Sequence, residues 1–184
     1  MKIAVIGDIH GEINCLEYAL IDVNKKHADI IFSTGDLVDT QENAKEIISI
    51  CKENKIISVK GNHDEMTSKG DKCDKESRIY LANLPLSFNF SLFDYNIQII
   101  HGSLNKNTEY MFEDSKLTLD YLNNADKNSI LICGHTHIPY IKEKNSAFVM
   151  NPGSVSRPKL PETKPSYIFI EITAENFRYE TIIL

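Results

Sequence analysis

Five short runs in this chain, most of them apolar, end in the same kind of polar group: Asp8-Ile9-His10, Gly35-Asp36-Leu37-Val38-Asp39, Gly61-Asn62-His63-Asp64, His101-Gly102 and Gly134-His135-Thr136-His137. A run rich in Ile and Val that stops at turn residues reads as a buried strand. Side chains just past the carboxyl ends of such strands line one crevice in an α/β sheet, so residues distant in sequence converge there. The recurrence therefore constrains both the fold class, α/β, and the place where chemistry collects. Gly7, Gly35, Gly61, Gly102 and Gly134 beside these groups suit exits where the backbone turns sharply or approaches a ligand.

Between the motifs the pattern alternates. Lys2 to Gly7 reads as a strand, Glu12 to Lys26 as a helix through Leu16, Ala19, Leu20 and Val23, and Asp29 to Thr34 as a strand. Glu42 to Glu53 reads as a helix and Lys55 to Val59 as a strand, which together predict parallel neighbours joined by right-handed crossovers. Thr67 to Lys75 is polar and reads as an exposed loop with room for a lid, followed by a helix from Glu76 to Leu84 that Pro85 stops. Leu86 to Phe93 and Ile97 to Ile100 predict a hairpin around Asp94-Tyr95-Asn96 and a switch to antiparallel pairing. A helix over Lys116 to Asn124, a strand over Ser129 to Cys133, and two hairpins, Tyr140–Glu143 with Ala147–Met150 and Tyr167–Ile172 with Phe177–Ile183, complete the chain.

At 184 residues, 42% hydrophobic and 25% charged, the composition is that of a globular protein, and one domain over 1–184 is expected. The formal charge of −6 disfavours a broad grip on duplex nucleic acid, which needs clustered cations. No run is long enough to span a membrane, and no signal-peptide layout opens the chain, so the cytoplasm is expected. Cys15, Cys51, Cys73 and Cys133 form no C-x-x-C pair, so neither a zinc finger nor a disulfide framework is indicated.

Imidazole and carboxylate together suit borderline divalent ions such as zinc, manganese, iron or nickel, manganese being our first choice. Asp8, His10, Asp36, Asn62, His101, His135 and His137 are too many donors for one open tetrahedral metal. They suffice for two ions about 3.5 to 4 Å apart when one carboxylate bridges them, and Asp36 is the natural bridge. A hydroxide between two such ions is a strong nucleophile, and the ions stabilise charge on phosphoryl oxygens. His27, alone at a polar helix end, reads as structural. Asp64 reads as a turn or cap residue, Met66 and Met111 as packing, and Lys60 and Arg157 equally as phosphate binders or solvated charge.

In this order, the five blocks spanning residues 8 to 137 resemble the calcineurin-like metallophosphoesterase superfamily. Asn151-Pro152-Gly153-Ser154 with Arg157-Pro158 resembles its small bacterial and archaeal phosphodiesterase branch. The resemblance implies a four-layer α-β-β-α sandwich of two mixed sheets. It also implies one metal at Asp8, His10 and His137, a second at Asn62, His101 and His135, and Asp36 shared. His63 matches the histidine that protonates the leaving oxygen and Asp39 the carboxylate that orients it. The expected function is hydrolysis of a small phosphoester, most naturally a phosphodiester such as a nucleotide or cyclic phosphodiester. A metal-binding scaffold without turnover and a phosphoprotein phosphatase are the alternatives. A homodimer through the aromatic-rich end of the chain is a further expectation.

Overall fold

The computed structural model describes residues 1–39, 43–71 and 73–184. Its first half alternates strand and helix: β1 (Lys2–Ile6), α1 (Ile13–Lys25), β2 (Ile30–Ser33), α2 (Ala44–Glu53) and β3 (Ile57–Ser58). β1, β2 and β3 pair in parallel, as short helical crossovers require. In α1 the buried residues are Leu16, Ala19, Leu20 and Val23, the apolar stripe that the periodicity predicts. The predicted start of α2 at Glu42 lies outside the described residues.

The next segment departs from expectation. Asn62 to Lys69 is helical (α3), so Thr67 to Lys69 are not loop; Gly70, Asp71, Cys73 and Asp74 are non-helical, and α4 (Lys75–Asn83) follows. No lid forms from the described residues here, because Cys73, Leu81 and Leu84 are buried in the same cluster as α1 and α2; Lys72 lies outside the described residues. Met66, read as packing, is 55% exposed on α3, whereas Met111 is buried.

The second half builds another sheet: β4 (Ser87–Leu92), β5 (Tyr95–Ile100), α5 (Lys116–Asn124), β6 (Ser129–Ile132), β7 (Tyr140–Lys144) and β8 (Ala147–Asn151). The β4–β5 hairpin turns at Phe93-Asp94, earlier than predicted, because Leu92 pairs with Tyr95 and the Tyr95 ring stacks on Phe177 at 4.5 Å. β9 (Ser166–Ile172) and β10 (Phe177–Ile183) return antiparallel to the first sheet. The strand orders are β10-β9-β1-β2-β3 and β4-β5-β6-β8-β7, so both sheets are mixed.

Strand alternation then sets the layers. Ile3, Val5, Phe32, Ile168 and Ile170 of the first sheet meet Ile97, Ile99, Ile130, Ile132, Phe148 and Met150 of the second in one inter-sheet core. Ala4, Ile6 and Ile31 face outward against α1 and α2, and Ile100, Leu131 and Val149 pack outward with Leu122 of α5. The result is the α-β-β-α sandwich, each fully buried Ile or Phe contributing about 1.5–3 kcal/mol. Phe177 and Tyr179, in the aromatic-rich end of the chain, are partly buried against the inter-sheet core. No helix of the described residues is long and apolar enough to cross a membrane.

Candidate metal centre

The carboxyl ends of β1, β2 and β3 in one sheet, and of β5 and β6 in the other, all open at the same edge of the sandwich. Asp8 and His10 follow β1, Asp36 follows β2, Asn62 and His63 begin α3 just after β3, His101 follows β5, and His135 and His137 follow β6. The strand exits are tight. Gly35 has φ +96°, and a Cβ there would lie 2.5 Å from the Gly61 nitrogen; a Cβ on Gly61 would lie 2.0 Å from Asp36 Oδ1. Only glycine lets these two exits press together behind the Asp36 carboxylate.

Both key aspartates are held in the same way. Asp8 Oδ2 accepts a hydrogen bond from the His135 backbone N–H at 3.1 Å, and Asp36 Oδ1 accepts one from the His63 backbone N–H at 2.9 Å. Their other oxygens, Asp8 Oδ1 and Asp36 Oδ2, are buried with no hydrogen-bond partner among the described residues. An orphaned buried carboxylate oxygen is costly unless a cation completes it. Asp8 Oδ1 lies 3.4 Å from His137 Nε2 and 4.0 Å from His10 Nε2, and those two imidazole nitrogens face each other at 3.0 Å. Asp36 Oδ2 lies 3.3 Å from His101 Nε2 and 3.9 Å from His10 Nε2, the position of a bridge between two groups of donors.

His101 shows how a donor is aimed. Its Nδ1 sits 2.8 Å from the Thr34 carbonyl, which directs Nε2 to Asn62 Oδ1 at 2.9 Å and to Asp36. His137 is turned likewise, Nδ1 lying 2.6 Å from the Arg157 carbonyl. Carbonyls behind the ring fix the tautomer and point the other nitrogen at a metal. Among the described residues three donor sets are close enough to hold an ion: Asp8, His10 and His137; Asp36, His101 and His135; and His10, Asp36 and His63. The opposed nitrogens and orphaned oxygens fit divalent cations, and thiolates are absent from all three sets.

The electrostatics suit that role. Burial lowers His10 to about 4, outweighing the pull of Asp36 and Asp8, and burial with the charge of His101 lowers His135, so both are neutral donors near pH 7. Burial works against a charged His101, yet Asp36, Asp8 and the Thr34 carbonyl raise it to about 9. Burial also opposes ionisation of Asp36, but His101, His10 and His63 hold it at about 2. A proton on His101 therefore occupies the place that a metal would take.

His63 stands apart. Its Nδ1 lies 2.7 Å from Asp39 Oδ1, and its side chain is 31% exposed against 3% for His10 and 0% for His101. Burial raises Asp39, but the hydrogen bond and charge of Arg157, with His63 and His10, bring it below the usual carboxylate range. Asp64 is structural, as expected: Oδ1 accepts from the N–H groups of Leu37 and Val38, and Oδ2 from Gly61. Lys60 donates to the Ala82 carbonyl at 2.6 Å, and Arg157 donates to Asp39. His27 is exposed after α1.

Other supporting residues escaped sequence reasoning. Ser154 Oγ donates to the Asp8 carbonyl at 2.7 Å, and Ser156 Oγ donates to the carbonyls of Asp8 and Ile9, both at 3.0 Å. Tyr110 stacks on His135, centroids 4.2 Å apart and planes 10° apart. The Asn151-Pro152-Gly153-Ser154 motif was a signal for the serine, whereas nothing local marked Tyr110.

Carboxylate and imidazole donors gathered at the strand ends of a double-sheet α/β sandwich define a site suited to divalent cations. The chain belongs to the calcineurin-like phosphoesterase superfamily, whose domain profile matches residues 1–175. It is 32% identical over 164 residues to a probable metallophosphoesterase of Methanocaldococcus jannaschii, covering 88% of this chain and 71% of that one. It is 25% identical over 177 residues to the phosphodiesterase YfcE of Escherichia coli, covering 86% and 82%. A hypothetical protein of Pyrococcus horikoshii has the same fold, with a TM-score of 0.82 at 16% identity over 100% of this chain and 87% of the other.

Proposed function

We propose that this protein is a metal-dependent phosphodiesterase acting on small diesters, nucleotide or cyclic phosphodiesters among them, with Asp8, His10 and His137 holding one ion, Asn62, His101 and His135 a second, and Asp36 shared. The observation that carries this reading is the pair of orphaned oxygens, Asp8 Oδ1 and Asp36 Oδ2, buried among imidazole nitrogens contributed by the second sheet. Two bound divalent ions supply an activated water and stabilise charge on the phosphoryl oxygens.

The remaining steps belong to side chains. His63 Nδ1 is tied to Asp39 Oδ1 at 2.7 Å, which fixes the ring and leaves Nε2 to carry a proton to the leaving oxygen. A diester, with one negative charge, is favoured over a dianionic monoester because the Arg157 guanidinium, 3.4 Å from the His10 carbonyl, is already paired with Asp39 and Glu12. The relative named a phosphodiesterase supports the same preference. The test is hydrolysis of an aryl phosphodiester beside its monoester by stripped protein resupplied with Mn2+. Faster metal-dependent turnover of the diester is expected; preferential turnover of the monoester would reject the diester reading.

A further inference from the structure

We propose that Arg157 is a positioning residue that steadies His63 through Asp39. The proposal rests on the leaving-group role given to His63 above. The guanidinium Nη1 donates to Asp39 Oδ2, and the other oxygen of that carboxylate, Oδ1, meets His63 Nδ1 at 2.7 Å. Asp39 is thus held at both oxygens, by a cation on one side and an imidazole on the other. Its side chain is 26% exposed, so without Arg157 water would compete for Oδ2 and the carboxylate would turn away from the ring.

Arg157 is itself held from behind. Its backbone N–H donates to Ser154 Oγ at 2.7 Å, its carbonyl faces His137 Nδ1 at 2.6 Å, and Ser154 Oγ donates to the Asp8 carbonyl at 2.7 Å. Its Nη2 donates at 3.4 Å both to Glu12 Oε1 and to the His10 carbonyl. Two carboxylates, those of Asp39 and Glu12, therefore already pair with this guanidinium. The same arginine joins the segment after β8 to the histidine 94 positions earlier (157 − 63) and to residues of the donor sets.

The test compares Arg157→Ala, Arg157→Lys, His63→Ala and the Arg157→Ala/His63→Ala pair, each loaded with Mn2+. The substrates are a diester with a nitrophenolate leaving group, which departs without a proton, and one with an alkoxide leaving group, which needs one. General acid catalysis contributes roughly 10²–10⁴-fold. Arg157→Ala is expected to lose about tenfold to a hundredfold of kcat on the alkyl diester, a fraction of that range, and much less on the nitrophenyl diester, with KM and metal content unchanged. Lysine should restore part of the rate. In the His63→Ala background the arginine change should add almost nothing, because both act on one step.

The metal-free protein offers a second readout. The low-field Nδ1 proton of His63, assigned by its loss in His63→Ala, should broaden in Arg157→Ala and survive in Arg157→Lys. A raised KM on both substrates with kcat intact, or an undiminished effect without His63, would overturn the proposal and make Arg157 a substrate contact. If Arg157→Ala spares the alkyl diester while His63→Ala does not, this proposal alone falls. If His63→Ala shows no leaving-group dependence, the role of His63 falls with it.

Discussion

Asp8, His10, Asp36, His135 and His137 all adopt left-handed backbone, with φ between 50° and 67°. Each such residue costs roughly 1 kcal/mol or more and persists only where surrounding contacts hold it. Here the Asp8, Ile9 and His10 N–H groups bond to the carbonyls after β2, so the strain aims side chains from successive exits at one point. The charge state of that point has a measurable consequence. In metal-free protein His101 is raised from 6.5 to about 9 by Asp36 and its neighbours against the cost of burial. Because the folded value lies above the unfolded one, this stabilisation is complete below about pH 6.5 and lost as pH rises through about 9. The melting temperature of metal-free protein should therefore fall between pH 7 and 9, and His101→Asn should flatten that slope. A slope unchanged in the variant would assign it to other groups.

Helix α3 shows what an element can hide. Its sequence, Asn62-His63-Asp64-Glu65-Met66-Thr67-Ser68-Lys69, buries only Asp64 and Thr67, so no apolar stripe announces a helix. What organises its start is one side chain that caps locally and reaches across the fold: Asp64 accepts the N–H of its own N-cap residue Gly61 at one oxygen and those of Leu37 and Val38 at the other. Asp64→Ala would leave these donors buried and unpaired at about 1–3 kcal/mol each, so a loss of about 3 kcal/mol or more is expected in urea unfolding. A change below 1 kcal/mol would mean that α3 is set by something else. The strands and the helices α1, α2 and α5 are legible, because burial imposes a period on Ile, Val and Leu. The convergence of Asp8, His10, Asp36, Asn62, His101, His135 and His137 on one edge is legible too, since each follows a strand. The hairpin tip at Phe93, the packing of α4 beside α2, the Tyr110 stack and the Arg157–Asp39 link depend on contacts between distant segments, and no local pattern encodes them.

For the molecule as a whole, the site is a seam. Asp8, His10, Asp36 and Asn62 come from exits of the first sheet, and His101, His135 and His137 from the second, so metal binding depends on how the sheets pack. Ile132, buried between the sheets, is followed closely by His135 and His137. Ile132→Ala should cost about 2–5 kcal/mol and weaken Mn2+ binding in calorimetry, whereas Leu122→Ala behind α5 should destabilise with less effect on the metal. Conversely, bound metal should stabilise the sandwich by about 2.7 kcal/mol at a hundredfold excess over Kd, seen as a fall in melting temperature on chelation. The most direct measurement takes wild type, His63→Ala and Asp36→Ala, resupplies each with Mn2+, and records metal content and turnover of a diester with an alkoxide leaving group on the same samples. We expect wild type to bind metal and turn over, His63→Ala to bind metal but turn over about 10²-fold or more slowly, and Asp36→Ala to lose both. Metal bound by wild type without turnover would contradict the enzyme and point to a metal-binding scaffold, and equal metal loss in the two variants would make His63 a ligand.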